Sequence, residues 1–175
     1  MLPQDDKELE KKGRFNMIYF ISDTHFAHDN VIGYAGRPFN DAEEMNEYMI
    51  KKWNETVSDN DEVYFLGDFC LGQAENIMKY APRLNGVKHM IMGNHDRKKT
   101  LYRDAGFIST DKRLVFPYAT DKQIILSHKP ILDLPEGCVN IHGHIHEKEL
   151  DPRLFNRANY YNVSVENINY IPKTL

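Results

Sequence analysis

Short apolar runs, each followed directly by Asp, Asn or His, constrain the fold of this chain more than any other feature. The runs are rich in β-branched and aromatic residues, which indicates buried strands. They are MIYFIS followed by Asp23-Thr24-His25, EVYFLG by Asp68, HMIMG by Asn94-His95-Asp96, KQIILS by His128, and CVNIHG by His144 and His146. Continuous apolar runs are typical of sheets covered on both faces, where ligands bind beyond the carboxyl ends of the strands. The pattern therefore predicts an α/β fold with a polar site at one edge of its sheets.

Helices are predicted between the first three strands. Residues 41–57 carry apolar side chains at helical spacing and acidic residues in the first turn, with Asn40 or Asp41 as the N-cap. Residues 74–84 form a second predicted helix, and a short helix is predicted to begin at Asp96. Beyond about residue 107 the pattern is mostly strand-like, in the runs RLVFPY, KQIILS, CVNIHG and YYNVSVE. The first half of the chain thus alternates strand and helix, whereas the second half consists mainly of strands.

Length and composition favour one soluble domain. A chain of 175 residues corresponds to one domain, and residues 1–16 balance acids against bases with little to bury. We therefore predict a flexible tail over residues 1–16 and a single domain over residues 17–175. No apolar run approaches the roughly 20 residues of a membrane helix, and the N-terminus lacks a signal-peptide pattern. Cys70 and Cys138 form no CxxC pair, which favours a reducing compartment, so we expect a cytoplasmic protein that does not bind membranes.

The residues that follow the strands offer carboxylate, imidazole and amide donors, but no thiolate. This set favours a borderline first-row metal ion over a soft one. Seven donors are too many for one tetrahedral ion and are about right for two ions that act together on a phosphate. The seven candidate ligands are Asp23, His25, Asp68, Asn94, His128, His144 and His146. Three glycines precede such residues and let the backbone turn sharply or approach a ligand closely, namely Gly67, Gly93 and Gly143.

Five segments of the chain resemble the motif blocks of the calcineurin-like metallophosphoesterases. They are DTH (23–25), GD (67–68), GNHD (93–96), SH (127–128) and GHIH (143–146). The resemblance runs from Met17 to about Glu166, and the segments SDTHFAHDNVI and NVSVEN further resemble small bacterial and phage members. It implies a four-layer α/β/β/α sandwich with two mixed β-sheets and a metal site at the C-terminal ends of the strands.

The resemblance also implies a role for each candidate residue. The first ion would be held by Asp23, His25 and His146, the second by Asn94, His128 and His144, and both by Asp68. His95 would face the phosphate and either protonate the leaving oxygen or stabilise the developing charge. Asp96 would orient His95 and keep it protonated. A hydroxide that bridges the two divalent ions would attack the phosphorus. Manganese is the expected metal, although iron, nickel, cobalt or zinc would accept the same donors.

Four further residues are assigned from their positions alone. His28 follows His25 by three residues and is predicted to lie at the rim of the site. Arg37 lies on the same predicted loop, where its guanidinium could bind a phosphate through two N–H groups, so both are candidate substrate contacts. His142 and His89 are interpreted as histidines packed within strands, although a role for His142 at the site stays open.

Three functions are compatible with these residues. The leading hypothesis is hydrolysis of phosphodiester or phosphomonoester bonds in a small substrate, with nucleotides among the candidates, in a cleft without a cap domain. A nuclease of the same superfamily is the alternative. A net charge of −4 and the lack of an extended basic stretch with aromatics disfavour long nucleic acids as partners. A non-catalytic metal-binding scaffold is disfavoured because His95 and all the candidate ligands are present. The sequence leaves the substrate, the native metal and the oligomeric state open.

Overall fold

The first sheet contains four strands in sequence order. A computed structural model describes residues 16–72, 74–116 and 121–174. Its first four strands are β1 (Ile18–Ile21), β2 (Glu62–Phe65), β3 (Val87–Ile91) and β4 (Phe107–Asp111). All neighbouring pairs are parallel, and Lys173 forms an antiparallel bridge with Phe20 beside β1. The carboxyl ends of these strands therefore meet at one edge of the sheet.

The second sheet also contains four strands. They are β5 (Arg113–Val115), β6 (Gln123–Ser127), β7 (Cys138–His142) and β8 (Tyr160–Asn162). β5 pairs with β6 in the antiparallel direction, whereas the β6–β7 and β7–β8 pairs are parallel. The carboxyl ends of β6, β7 and β8 thus share one edge, as the strand-end residues predicted. The expected α/β fold with two sheets is confirmed.

Four α-helices occur in the described residues, and all of them precede β5. They are α1 (Asp29–Tyr34), α2 (Ala42–Thr56), α3 (Ala74–Tyr80) and α4 (Lys99–Asp104). The predicted helix over 41–57 is α2, and its N-cap is Asp41, whose carboxylate accepts a hydrogen bond from the Glu44 backbone N–H at 2.8 Å. This bond satisfies one of the N–H groups that the first turn leaves without a helical partner.

Four details differ from the sequence-based predictions. α1 and β4 were not predicted, because α1 is short and half exposed and β4 lies in a segment with mixed polarity. The helix predicted from Asp96 begins at Lys99, because the Asp96 carboxylate is used by backbone groups outside the helix. α3 ends at Tyr80 and continues as a 3-10 turn over Ala81–Arg83, where Pro82 has no N–H to donate.

Two principal apolar layers hold the sheets in place. The helices pack on one face of the first sheet, with Met45, Met49 and Trp53 of α2 completely buried. The other face packs on the second sheet, for example through Leu66 and Leu126, both 0% exposed. The segment around Ile131 packs on the outer face of the second sheet, the 3-10 turn over Arg157–Asn159 lies against β7, and residues 121–174 contain no α-helix. The fourth layer therefore consists of loops in the described part of the chain.

The remaining predictions concern the N-terminal tail, membrane-spanning segments and the two cysteines. Residues 1–15, which make up nearly all of the predicted tail, lie outside the described residues, so the tail and the single domain over 17–175 stay predictions. In the described segments, no helix combines the length and the apolar character that crossing a membrane requires. Both cysteines are buried free thiols.

Candidate metal centre

The polar residues at the strand ends form two groups of donors. In each group the donor atoms lie within 4.8 Å of one another, which is close enough to share one cation. The first group is Asp23, His25 and His146, and we call it the first half-site. The second group is Asp68, His128 and His144, and with the adjacent Asn94 we call it the second half-site. The structure thus brings all seven candidate ligands together in the division that the motif resemblance implied.

Asp68 lies between the two half-sites. Its Oδ2 atom is 3.8 Å from His25 Nε2 and 3.3 Å from His128 Nε2. Its Oδ1 atom accepts a hydrogen bond from the His95 backbone N–H at 2.9 Å, which fixes the orientation of the carboxylate. One oxygen therefore faces histidines of both groups, the arrangement that a carboxylate shared by two cations needs.

Several buried polar atoms of the first half-site lack hydrogen-bond partners among the described residues. Asp23 is 0% exposed and His25 is 4% exposed. Among the described residues, no hydrogen-bond partner is found for Asp23 Oδ1 or for either ring nitrogen of His25. Buried polar atoms are almost always satisfied, so a cluster of unsatisfied ones calls for a missing ion or solvent. Burial lowers the pKa of His25 to about 3, which keeps its imidazole neutral and able to donate a lone pair.

A charged network supports the first half-site from behind. The His146 Nδ1–H group donates to Glu166 Oε1 at 2.9 Å, so Nε2 is left to face the site. The same Glu166 oxygen accepts from Arg37 Nε at 2.9 Å and Nη2 at 2.7 Å. Arg37 also donates to the backbone oxygens of Asp23 at 2.7 Å and Thr24 at 2.8 Å. Arg37 and Glu166 therefore hold both the loop that carries Asp23 and the ring of His146.

A backbone carbonyl supports the second half-site. The His128 Nδ1–H group donates to the Leu66 oxygen at 2.8 Å. Its Nε2 atom faces only acceptors, Asn94 Oδ1 at 3.0 Å and Asp68 Oδ2 at 3.3 Å. Burial lowers the pKa of His128, but the hydrogen bond to Asp68 and the charges of Asp23 and Asp68 together raise that pKa overall. Burial raises the pKa of Asp68, but the hydrogen bond and charge of His128, the His95 backbone N–H and the charge of His25 together lower it to about 2. A positive charge is thus stabilised where a second metal ion would bind.

The backbone at the site adopts conformations that non-glycine residues rarely use. Positive φ angles are found at five candidate ligands, namely Asp23 (60°), His25 (49°), Asp68 (57°), His144 (72°) and His146 (51°). Such conformations are uncommon outside glycine and concentrate at functional sites. At Gly93 and Gly143 the backbone passes so close to Asp68 and Asp23, respectively, that a Cβ atom would overlap their carboxylates. The expectation of close approach at these glycines is confirmed.

The structure corrects the role assigned to Asp96. Its carboxylate accepts from the backbone N–H groups of Asp68 at 2.8 Å, Gly93 at 2.6 Å and Phe69 at 3.0 Å, and from the Tyr102 hydroxyl at 2.7 Å. These four donors occupy both oxygens, and none of them belongs to His95. Asp96 therefore does not orient His95. Its carboxylate instead connects the loop at Asp68 with the turn at Gly93 through hydrogen bonds.

The structure also corrects the role assigned to Arg37. This side chain is 4% exposed, and its five N–H groups point to Glu166, Thr24, Met45 and Asp23 inside the protein. No N–H group is left for a substrate phosphate, so the predicted substrate contact is wrong. A long arginine side chain on a loop can point into the protein when a buried carboxylate is available to pair with it. The sequence pattern does not show whether such a side chain points inward or toward solvent.

The remaining candidates lie close to the first half-site. The exposed His95 ring has its centroid 5.7 Å from that of His25. The half-buried His28 ring lies 5.8 Å from the His25 ring, at the rim as expected. His142 is fully buried beneath the site and donates from Nδ1 to the Gly143 oxygen. His89 stacks on Tyr64 within the sheet, with centroids 4.4 Å apart. Both are packed within strands, as interpreted from the sequence.

Two residues of the site were missed by sequence reasoning. Glu166 supports His146, and Ser164 Oγ donates to Asp23 Oδ2 at 2.9 Å. Both follow β8, as the other site residues follow their strands. Both fall inside the predicted strand-like run YYNVSVE, and only because β8 ends at Asn162 does the rule of a polar residue after a strand apply to them.

Comparisons with known proteins agree with this geometry. A family model described as calcineurin-like phosphoesterase matches residues 17–174. An uncharacterised protein of Methanocaldococcus jannaschii is 41% identical over 165 residues, which cover 90% of this chain and 86% of that protein. The Gene 66 protein of Mycobacterium phage D29 is 28% identical over 163 residues, covering 75% of this chain and 79% of the phage protein.

Two solved structures are similar to the chain. A protein of unknown function from Aquifex aeolicus has a TM-score of 0.72 and 26% identity, covering 90% of this chain and 95% of that one. A novel archaeal phosphodiesterase has a TM-score of 0.50 and 19% identity, covering 83% and 81%. The second similarity concerns the fold alone.

Proposed function

Because the chain belongs to the calcineurin-like phosphoesterase family, we propose that it hydrolyses small phosphate esters with two divalent metal ions. One observation carries the proposal: two groups of N and O donors face each other across the single carboxylate of Asp68. Two divalent ions held by these residues would polarise the phosphate and lower the pKa of a bound water molecule toward neutrality.

Each side chain then has a defined task. Asp23, His25 and His146 would hold the first ion, and Asn94, His128 and His144 the second, with Asp68 contributing to both. The donors suit several first-row ions, and we expect manganese to support activity, with iron, nickel, cobalt and zinc as other candidates. The two carboxylates only partly neutralise two divalent cations, so the centre attracts an anionic phosphate.

His95 is the proposed general acid. Its ring is exposed next to His25, while its backbone N–H holds Asp68 Oδ1. The imidazole thus lies at the open side of the centre, within the reach of a phosphate, on a loop that the ligand Asp68 fixes. From that position it donates a proton to the leaving oxygen or stabilises the charge that develops there.

The first experiment measures metal content and substrate class together. The apoprotein is reconstituted with excess Mn²⁺ and assayed on a panel of phosphomonoesters and phosphodiesters, with plasmid DNA as the arm that tests a nuclease. We expect elemental analysis to approach two ions per chain and hydrolysis of small esters. A firm stoichiometry of one, with Asn94 and His128 replaceable without loss of activity, would contradict the two-ion proposal.

The second experiment separates chemistry from metal binding. His95→Ala keeps the backbone N–H that holds Asp68, so both ions should remain bound. Loss of a general acid typically lowers the rate about 10²–10⁴-fold. The loss should be smaller for a nitrophenyl ester, whose leaving group needs little protonation, than for an alkyl ester. If the variant loses an ion, or loses rate equally on both esters, His95 is not the proton donor.

A further inference from the structure

A row of aromatic rings leads outward from the first half-site. The ring centroids of His146 and His25 are 5.3 Å apart, those of His25 and His28 are 5.8 Å apart, and those of His28 and Tyr34 are 6.4 Å apart. The first two residues are candidate metal ligands, whereas His28 and Tyr34 are not used by the proposed reaction. The row ends at Tyr34, which is 79% exposed.

Tyr34 is held in place by a well-anchored segment. It is the last residue of α1, and His28 occupies the N-cap position of the same helix. Val31 of α1 is 4% exposed in the core, and Asp29 Oδ1 accepts a hydrogen bond from the Ala42 backbone N–H at 2.7 Å. The exposed ring is therefore presented by a fixed element rather than by a free loop.

Location distinguishes Tyr34 from an ordinary exposed aromatic. A single apolar side chain on a surface needs no explanation. Tyr34, however, is the most exposed large apolar residue in the described segments, and it is in edge contact with a ring that touches the metal centre. His28 and His95 both neighbour His25. A phosphate bound at the centre would therefore lie near His95 and near His28, with the Tyr34 ring beside His28.

We propose that His28 and Tyr34 form a stacking platform for an aromatic substituent of the substrate, which rests on the proposed phosphoesterase function. Only a phosphodiester has a second substituent that can occupy the platform while the leaving group departs. The geometry therefore favours diesters that carry a nucleobase over alkyl diesters. A nucleobase presents a flat apolar face that stacks on aromatic side chains without needing sequence-specific hydrogen bonds.

The test uses two diesters with the same leaving group. Thymidine 5′-(4-nitrophenyl phosphate) and methyl 4-nitrophenyl phosphate both release nitrophenolate, and they differ in the nucleoside. From alanine substitutions at stacked bases in other proteins, Tyr34→Ala should raise KM for the nucleoside ester by roughly 5–150-fold. Its kcat, and both constants on the methyl ester, should stay within about twofold of the wild type.

Two further variants serve as controls. Tyr34→Phe keeps the ring and should retain the wild-type KM on the nucleoside ester. Tyr161→Ala removes another exposed tyrosine, 50% exposed on β8, and should leave both esters unaffected. Melting temperatures of all variants show whether the folds remain comparable.

The outcomes separate this inference from the proposed function. No hydrolysis of either ester by the metal-loaded wild type would overturn the phosphoesterase proposal itself. Hydrolysis of both esters with equal kcat/KM, or an equal effect of Tyr34→Ala on the two, would overturn the platform alone. A nucleoside preference that depends on the Tyr34 ring is the supporting result.

Discussion

The two half-sites of the centre are built from similar donors but supported differently. Asp23 and His25 of the first are buried, and behind them Arg37 and Glu166 form a 2.7 Å ion pair that is itself buried. In the second, Asn94 is exposed, and a neutral backbone carbonyl supports the histidine ring. Charged side chains that hydrogen-bond to one another therefore support the first half-site, whereas a main-chain carbonyl supports the second.

This difference predicts unequal affinities for the two proposed ions. A carboxylate that accepts a hydrogen bond from a ligating imidazole fixes the ring and raises its basicity more than a neutral carbonyl does. His146 has such a partner in Glu166, whereas His128 has the Leu66 oxygen. We expect the first ion to bind more tightly and the second to exchange more readily.

The half-sites are nevertheless linked. Asp23 Oδ2, from the first, accepts a hydrogen bond from the His144 backbone N–H of the second at 2.8 Å. Asp68 faces histidines of both. Changes to these shared groups should affect both ions, while changes to the support of one half should affect mainly that half.

The largest effect is expected from Asp68→Ala. Loss of the Asp68 carboxylate would remove the negative charge between the two proposed cations, so both ions should be lost. Activity should fall by more than the roughly 10²–10⁴-fold expected for loss of a general acid. Elemental analysis and kcat/KM measure this, with Asp59→Ala on an exposed turn as the control. Retention of one ion at wild-type affinity would show that Asp68 serves one half-site only.

Glu166→Gln should weaken the first ion selectively. The substitution preserves shape but removes the charge behind His146, and loss of such a partner typically lowers metal affinity about 10–100-fold. Stepwise calorimetric titration of the apoprotein with Mn²⁺ resolves the two ions. Glu75→Gln, at an exposed position, is the matched control. The melting temperature of Glu166→Gln shows how much stability is lost when Arg37 loses its charged partner. Equal weakening of both ions would mean that the network supports the fold as a whole.

Asn94→Ala should weaken the second ion by a smaller amount. Asn94 is neutral and exposed, so water can take the place of its amide oxygen. We expect a loss of roughly tenfold in affinity, about 1.4 kcal/mol, with the first ion unaffected. The same titration measures it, and Asn60→Ala on an exposed turn is the control. A weaker first ion would contradict the separation of the half-sites.

Removal of residues 1–16 should have the smallest effect. The first candidate ligand is Asp23, and a chain that begins at Met17 still has a nitrogen to donate to Asp61 Oδ1, as Met17 does at 2.8 Å. Both metal affinities and kcat should stay within about twofold of the full chain. A large fall in kcat with an unchanged melting temperature would show that the tail contributes to the centre.

Much of the fold and the candidate ligand set could be predicted from local patterns. The helix over 42–56 and the strands before Asp23, Asp68 and His128 follow from periodicity and from apolar runs that end at a polar residue. The short helix α1 could not be predicted in this way, because six residues with one buried side chain carry too weak a periodic signal. Tyr34 lies on that helix, so its position beside His28 could not be predicted from the sequence either.

The sequence by itself determined which donors stand at the strand ends, because residue type and strand periodicity are local properties. Tertiary structure alone decided which buried groups support them. Arg37 and Glu166 lie 129 positions apart and pair only because the fold places the segment after β8 beside the loop after β1. Asp96 likewise serves the backbone of residues 68 and 69 rather than its neighbour His95. A buried charge takes whichever partner the packed chain brings to it, and local patterns carry no information on that choice.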